Sequence, residues 1–323
     1  IDKSLTVQAV EGAQPIIYMT SRIETSTSFK LQGVELVGST TEAIRMIPGS
    51  APYTVIVKSC TLQGYTSKTL RVYNTDQTAP YVDSLIIDDC IFRPAAGRVV
   101  EASVAEKQVA NLSITNSTFD GGSAGIGRLV YFLSTEGTTV ESAVIDHCTF
   151  YNAADTRGIY LGNIDGAQVS NCIFMNPEYN ADYKSYCVYG KNTLLTHSIS
   201  YNADPYVRSG AQSTKVSTQN PYFVDAANGN FQLYKNSPAA TASIRGTALG
   251  DPRWGVSNEN MPLANEPYKP HKMPYSMAPT TSSIRILWQM AEETEPTTAI
   301  VWYGTDKDNL SDSIVTDSGW MVE

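Results

Sequence analysis

The sequence predicts an all-β protein, in which a right-handed parallel β-helix (a solenoid) precedes a partial immunoglobulin-like β-sandwich at the C-terminus. Three observations predict this fold. A short motif recurs seven times at intervals of 24 to 31 residues over positions 1–200. Apolar residues alternate within the motif, which is the period of a β-strand. Glycine, asparagine, aspartate and serine separate the apolar runs, as expected for turns between short strands.

The repeated motif reads apolar-x-apolar-x-polar-Cys-x-Phe. Ile87-Asp88-Asp89-Cys90-Ile91-Phe92 and Ile145-Asp146-His147-Cys148-Thr149-Phe150 are clear copies. The positions equivalent to the cysteine are 34, 60, 90, 117, 148, 172 and 198. We expect positions 60 to 172 in this series to stack on one buried line. A second buried stack is expected two residues further on, because such residues share a strand face; it comprises Phe92, Phe119, Phe150 and Phe174.

The cysteines and histidines fit structural roles within this repeat. The chain has five cysteines, four of them at the motif position, and no CxxC spacing that would indicate zinc. Small buried residues stacked coil on coil explain them. The polar residues before the cysteine position are expected to form a stacked ladder of turns rather than a catalytic set. They include Asp89, Asn116, His147, Asn171 and His197.

Six basic residues recur once per repeat, each at the start of a short apolar run. If each repeat is one coil, parallel strands about 4.8 Å apart bring these side chains into one column. Like charges at that separation repel each other. The column therefore requires neighbouring carboxylates, side chains splayed into water, or an anionic ligand. The six residues are Arg45, Arg71, Arg98, Arg128, Arg157 and Lys184.

The domain organisation follows from where the repeat fades. Residues 1–255 are predicted as the β-helix with a C-terminal cap, 256–282 as a proline-rich linker, and 283–323 as an incomplete sandwich. Ile1 to Val7 already has the pattern of a coil strand, so we expect the chain to begin inside the solenoid. The net charge of −9 argues against nucleic acid as a partner. No stretch approaches the roughly 20 apolar residues of a membrane span, so we expect no transmembrane segment in this sequence.

The repeat and its cap resemble a known group of families. The cysteine–phenylalanine motif, Asn220-Pro221-Tyr222-Phe223 and Gly250-Asp251-Pro252-Arg253-Trp254 are similar to pectin-lyase-like β-helix families of polysaccharide-degrading gut bacteria. Some of these are chondroitinase-B-like or alginate lyases, and others have no known function. The resemblance covers residues 1 to 255. It implies an extracytoplasmic protein, at the cell surface or in the periplasm.

The C-terminal tail has a different resemblance. Ser283-Ile284-Arg285-Ile286-Leu287-Trp288 and Ala299-Ile300-Val301-Trp302-Tyr303-Gly304-Thr305 resemble the start of fibronectin-type-III domains. The nearest are those that precede purple-acid-phosphatase-type catalytic domains. The metal-ligand motifs of those phosphatases are not present in this sequence.

Two functions remain open from the sequence. The first is a protein that binds acidic polysaccharide on a basic and aromatic face. Its predicted ligand residues are the six basic residues together with Tyr160 and Tyr186. The alternative, implied by the family resemblance, is a polysaccharide lyase that cleaves uronate glycans by β-elimination. No cofactor or metal is predicted for the binding protein.

The lyase alternative rests on one local cluster. Asp155-Thr156-Arg157-Gly158-Ile159-Tyr160 is followed one coil later by Asp182-Tyr183-Lys184-Ser185-Tyr186. In lyases of this fold a basic residue removes the C5 proton, and the uronate charge must be offset for that proton to be acidic. The catalytic candidates are therefore Arg157, Lys184 and Tyr160. Lyases of this fold often use Ca²⁺ to neutralise the uronate, and Asp155 and Asp182 are the candidate ligands if this protein is one of them.

Overall fold

The structure is a computed structural model. It describes residues 1–73, 82–102, 109–122, 129–132, 140–153, 157–161, 166–177, 186–203, 206–261, 272–277, 285–289, 299–303 and 312–316. The chain divides into two units, Ile1–Met261 and Pro262–Glu323. The first unit is a parallel β-solenoid. Across the described ranges, neither unit contains an α-helix.

The solenoid strands are short and follow each other in a regular order. They are β1 (Leu5–Gln8), β2 (Ile16–Met19), β3 (Ile23–Thr25), β4 (Phe29–Gln32), β5 (Glu35–Gly38), β6 (Glu42–Met46), β7 (Tyr53–Lys58), β8 (Thr61–Gln63), β9 (Lys68–Val72), β10 (Val82–Asp88), β11 (Ile91–Arg93), β12 (Arg98–Ala102), β13 (Val109–Thr115), β14 (Thr118–Asp120), β15 (Val130–Phe132), β16 (Val140–Asp146), β17 (Thr149–Tyr151), β18 (Arg157–Leu161), β19 (Gln168–Ser170), β20 (Ile173–Met175), β21 (Tyr186–Tyr189), β22 (Leu194–Tyr201), β23 (Val207–Arg208) and β24 (Gln212–Ser217).

Every third strand pairs in parallel, which gives three columns of stacked strands. The first column runs β1-β4-β7-β10-β13-β16-β19-β22, and the second runs β2-β5-β8-β11-β14-β17-β20-β22. The long strand β22 belongs to both and joins them into one sheet, to which β24 is added. The third column, β3-β6-β9-β12-β15-β18-β21-β23, is a separate eight-stranded sheet. The predicted parallel β-solenoid is thus confirmed.

The predicted cysteine line is confirmed and lies inside the solenoid. Cys60, Cys90, Ser117, Cys148 and Cys172 are each no more than 2% exposed. Backbone bonds hold successive coils in register. The N–H of Thr118 donates to the carbonyl of Cys90 (2.8 Å), and the N–H of Thr149 donates to that of Ser117 (2.9 Å). All five cysteines are free thiols.

The side chain at this position closes a tight turn. Ser117 Oγ donates to the carbonyl of Thr115 at 2.7 Å, and Cys148 Sγ donates to that of Asp146 at 3.3 Å. The preceding residue takes the left-handed conformation that the turn requires, so the predicted polar turn ladder is confirmed. Its members have φ between 43° and 56° and are Ser59, Asp89, Asn116, His147, Asn171 and His197. Asparagine, aspartate and histidine tolerate this conformation better than most residues.

The predicted phenylalanine stack is also confirmed. Phe92, Phe119, Phe150 and Phe174 are all at most 4% exposed. Successive ring centroids lie 5.0, 4.8 and 4.8 Å apart, with interplanar angles of 18° or less. The spacing follows the distance between parallel strands, so each added coil adds one ring to the stack.

The segment predicted as a terminal cap packs along the side of the solenoid instead. It contains β25 (Phe223–Asp225), the 3-10 helix η1 (Ala226–Asn228) and β26 (Asn230–Leu233). We call residues 220–255 the lateral segment. Its Phe231 packs against outward-facing Tyr151 of the second column at a ring distance of 5.2 Å. Outward apolar residues on β17, β20 and β22 are covered by this segment. The sequence predicts a cap for the strand edges at the end of the solenoid and does not predict that these outward residues need cover.

The end of the lateral segment is attached by polar contacts. Trp254 Nε1 donates to Thr118 Oγ1 at 2.8 Å, and the Thr118 hydroxyl donates to Asp251 Oδ2 at 2.8 Å. Arg253 reaches a turn-ladder residue, with Nη2 donating to Asp89 Oδ1 at 2.6 Å. Burial raises the pKa of Asp251 and outweighs the effect of its contacts with Arg253 and Thr118, which lower the pKa.

The C-terminal unit contains two antiparallel strand pairs. β27 (Lys272–Met277) pairs with β28 (Arg285–Gln289), and β29 (Ala299–Tyr303) pairs with β30 (Asp312–Thr316). The division between the units follows Met261, and β27 lies within the segment predicted as a linker. No helix in the described parts of the chain is long and apolar enough to span a bilayer.

Candidate functional site: the third-column face

The strands of the third column present two outward positions in every five residues. In residues 42–46 and 98–102, the second, third and fifth positions are apolar and buried, and they form the solenoid core. The first and fourth positions are charged. We call the outward side chains of this column the third-column face.

The strand register defines two rows on this face. The first row contains Glu42, Lys68 and Arg98, which are paired in that order. The fourth-position row begins with Glu24 on β3 and continues through Arg45, Arg71, Glu101, Tyr131, Tyr160 and Tyr189.

The prediction of one basic column is therefore wrong in its register. Arg45 and Arg71 are partners in the fourth-position row, but Arg98 lies opposite Lys68 in the first row. Arg157 is paired with Tyr186 and has the same offset from the core row as Arg98. The sequence is misleading at this point because Arg98-Val99-Val100 has the same pattern of a base before two apolar residues as Arg71-Val72-Tyr73. In the fold, Val100 is the partner of Leu70.

A buried carboxylate links the first two arginines of the face. Glu42 has only 3% of its side chain exposed. Arg45 donates to it through Nε at 2.6 Å and Nη2 at 3.0 Å, and Arg71 donates through Nη1 at 2.8 Å. Burial raises the pKa of Glu42, but the hydrogen bonds from both arginines outweigh it and the net pKa is lowered. The hydrogen bond to Glu42 raises the pKa of Arg45.

A second buried carboxylate, Glu101 on β12, has the same role two coils further on. Its side chain is 1% exposed and pairs with Arg98, three residues earlier on β12. Lys68 Nζ lies 3.7 Å from Glu101 Oε1. The repulsion expected between stacked bases is thus relieved by acids placed among them, which was one of the three solutions open from the sequence.

Among the described residues of this cluster, bases outnumber acids. Arg22, Arg45, Lys68, Arg71 and Arg98 contribute five positive charges, and Glu24, Glu42 and Glu101 contribute three negative charges. The balance is +5 − 3 = +2, on a chain whose net charge is −9. The cluster is therefore a local positive region on an acidic protein.

Aromatic rings support the arginines of this cluster. The guanidinium carbons of Arg45 and Arg71 lie 4.9 and 4.4 Å from the ring centroid of Tyr73. Arg98 lies 4.2 Å from that of Tyr131. Such cation–π contacts fix the planar groups while leaving their edges to donate hydrogen bonds.

Three tyrosines continue the fourth-position row beyond the charged cluster. Tyr131 and Tyr160 lie 5.1 Å apart with rings tilted by 40°, and Tyr160 stacks on Tyr189 at 4.4 Å and 8°. The stacking partner of Tyr160 is Tyr189, whereas Tyr186, the other tyrosine predicted to contact sugar, is paired with Arg157. Because the rings of Tyr160 and Tyr189 face each other, a sugar at this stack would meet ring edges and hydroxyl groups.

Several predicted residues cannot be placed. Arg128, Lys184, Asp155 and Asp182 lie outside the described residues, and for Arg157 and Tyr186 the structure describes only the strand position. Tyr160 is half-buried on β18. Within the described ranges, no group of three or more His, Cys, Asp or Glu residues is arranged to hold a metal ion. The metal and catalytic assignments stay predictions.

Sequence reasoning missed the residues that organise this face. Glu42 and Glu101 each lie three residues from an arginine, as Glu42–Arg45 and Arg98–Glu101. That reciprocal spacing was the available signal. Charge alone hides this signal, because the buried positions between the charged residues set the register.

Part of the chain matches a model of a protein family. A family model described as "Domain of unknown function (DUF5123)" matches residues 143–254. The matched region includes β17 to β26 and most of the lateral segment, and it begins after the charged cluster. No curated protein matches the chain.

Proposed function

We propose that this protein binds an anionic polysaccharide along the third-column face. The observation that supports this most directly is the charge of +2 on the cluster around Glu42 and Glu101, within a chain of −9. A structural ion-pair network needs only as many bases as acids. The excess cations are suited to carboxylate or sulfate groups of a ligand.

The geometry suits an extended ligand. The rows run along the solenoid axis, with one position per coil about every 4.8 Å. Arginine can hold a carboxylate or sulfate through two parallel hydrogen bonds. Half-buried Tyr160 and Tyr189 extend the row beyond the cations, so charged and neutral parts of one glycan chain could both be bound.

The β-solenoid is compatible with binding or with lyase activity, and the proposal commits to binding. We also propose that the protein acts outside the cytoplasm, and that residues 283–323 belong to a fibronectin-type-III-like domain. Both statements rest on the family resemblance of the sequence. No step of β-elimination is assigned, because the candidate side chains of Arg157 and Lys184 are not described.

Affinity electrophoresis tests this proposal. Gels would contain a polyuronate, a sulfated glycan or a neutral glucan, each at low and high salt. We expect retardation by the two polyanions that weakens with salt, because the interaction is screened. The double variant Arg45→Gln/Arg98→Gln should lose most of the retardation.

A matched control removes two exposed charges from the lateral segment, in the variant Arg245→Gln/Lys235→Gln. Equal loss in both double variants, or equal binding of neutral and anionic glycans, would contradict the proposal. Incubation with the polyuronate followed by ultraviolet absorbance detects the unsaturated product of a lyase. Its appearance would favour the alternative function.

A further inference from the structure

A second, chemically different cleft lies beside the last coil. It has a volume of about 540 Å³ and is lined by Tyr201, Tyr222, Asn220, Gln219 and Asn236, with Thr218 and Pro238 at its margin. None of these seven residues carries a charge. The cleft is therefore unlike the third-column face, which carries arginine, lysine and glutamate side chains.

The backbone at Tyr222 is held in an unfavourable conformation. Its φ is 51°, in the left-handed region that bulky side chains rarely adopt. Among the described non-glycine residues with positive φ, it is the only phenylalanine, tyrosine or tryptophan. Two hydrogen bonds hold it there: its N–H donates to Asn220 Oδ1 (2.8 Å), and the Tyr234 N–H donates to its carbonyl (3.0 Å).

Core packing does not explain this strain. The neighbours Pro221 and Phe223 are buried, whereas Tyr222 is only half-buried and lines the cleft. Glycine would relieve the backbone at no cost to the core, because it has no Cβ. Strain of this kind persists where the surrounding structure enforces it, and it concentrates at ligand sites.

Two amides in the cleft are oriented by the backbone. Asn220 Oδ1 accepts from the Tyr222 N–H, and Asn236 Oδ1 accepts from the Met261 N–H at 2.8 Å. Within the described part of the chain, the Nδ2 group of neither residue has a hydrogen-bond partner. Since each oxygen is already engaged, each amide is fixed with its two N–H donors available to a ligand.

We infer that this cleft binds a neutral sugar ring. The C–H face of such a ring packs against tyrosine, and its hydroxyls accept from amide N–H groups and bond to phenol oxygens. An anionic sugar would bring a charge that no cation in the lining offsets. This site is separate from the proposed binding of polyanions and does not depend on it.

Glycan-array binding followed by calorimetry tests the inference, using neutral gluco-, manno- and galacto-oligosaccharides as probes. We expect at least one neutral series to bind with little dependence on salt. Tyr222→Gly should weaken that binding by about tenfold or more, as expected for loss of a central aromatic contact. It should not lower the midpoint of thermal unfolding relative to Tyr222→Ala, because glycine accepts positive φ.

Matched control variants change residues outside the cleft. Lys215→Gly relieves a positive φ of 54° on β24, and Tyr18→Ala removes a tyrosine that is 76% exposed on the first coil. Both should bind as the parent does, and so should Arg45→Gln/Arg98→Gln. In contrast, Gln219→Ala, at an exposed position of the cleft, should weaken binding without affecting folding.

Two results would overturn the inference. One is a panel in which no neutral oligosaccharide binds the parent protein. The other is binding that is unchanged in both Tyr222→Gly and Gln219→Ala. Neither result affects the proposal for the third-column face, which is tested with polyanions and read through its salt dependence.

Discussion

Replacing Glu42 by glutamine should make the protein less stable and yet increase its affinity for polyanions. The carboxylate is 3% exposed and accepts hydrogen bonds from Arg45 and Arg71. Removing one partner of a buried ion pair costs about 3–5 kcal/mol. Here the arginine side chains are 18% and 19% exposed, and glutamine keeps one acceptor oxygen. We therefore expect a loss of about 2–3 kcal/mol in the free energy of unfolding.

The same substitution changes the cluster charge from +2 to +3 and releases guanidinium groups from Glu42. Polyanion affinity at low salt should rise by about three- to tenfold, and the gain should disappear at high salt. Denaturant unfolding measures the first effect, and calorimetric titration with a polyuronate measures the second.

Glu35→Gln is the matched control, because it removes one negative charge from β5 in the other sheet. It should leave polyanion affinity unchanged. If Glu42→Gln lowers stability and affinity together, or if Glu35→Gln raises affinity equally, the cluster is structural and its excess charge has no role in binding.

Three further predictions concern the solenoid. Phe119→Ala should lower the free energy of unfolding by about 3–5 kcal/mol in a denaturant melt, because Phe119 is fully buried between Phe92 and Phe150. A decrease below about 1 kcal/mol would contradict the stack. Cys148→Ser should cost about 1 kcal/mol or less, because Ser117 makes the same turn bond one coil away. Cys148→Val removes the thiol's bond to the Asp146 carbonyl, which still accepts from the Asn116 N–H at 3.1 Å, so it should cost about 0.5–1.5 kcal/mol more than Cys148→Ser; equal costs would argue against a turn role. Burial raises the pKa of Asp146, but hydrogen bonds from His147, Ser170 and Asn171 outweigh burial and lower the pKa. The Asp146 carboxylate therefore stabilises the fold above its unfolded pKa of about 3.9, and this contribution is lost as pH falls further. Asp146→Asn should make the acid-induced loss of stability shallower, and an unchanged pH profile would contradict this assignment.

Much of the fold could be predicted because the solenoid repeats its local constraints. The turn before each cysteine needs a residue that tolerates positive φ, and the motif supplies Asp89, Asn116 and His147 there. The next position needs a small donor, which cysteine and serine both provide. Each constraint is short-range and recurs, so the sequence shows it directly.

The lateral segment and the charged face could not be predicted as easily. The attachment of Arg253 to Asp89 joins residues 164 positions apart, and no local pattern encodes such a contact. The register of the third column depends on two consecutive buried positions, such as Val99 and Val100. A strictly alternating strand pattern does not contain that feature, so it predicts the wrong row for Arg98.

Arginine labelling tests binding at the third-column face most directly. The protein would be treated with phenylglyoxal with and without a polyuronate, and the modified residues identified by mass spectrometry. We predict that the polyuronate protects Arg45, Arg71 and Arg98, and that exposed Arg245 in the lateral segment is modified equally in both samples. Modification of the three face arginines that is unchanged under saturating polyuronate would contradict the proposal.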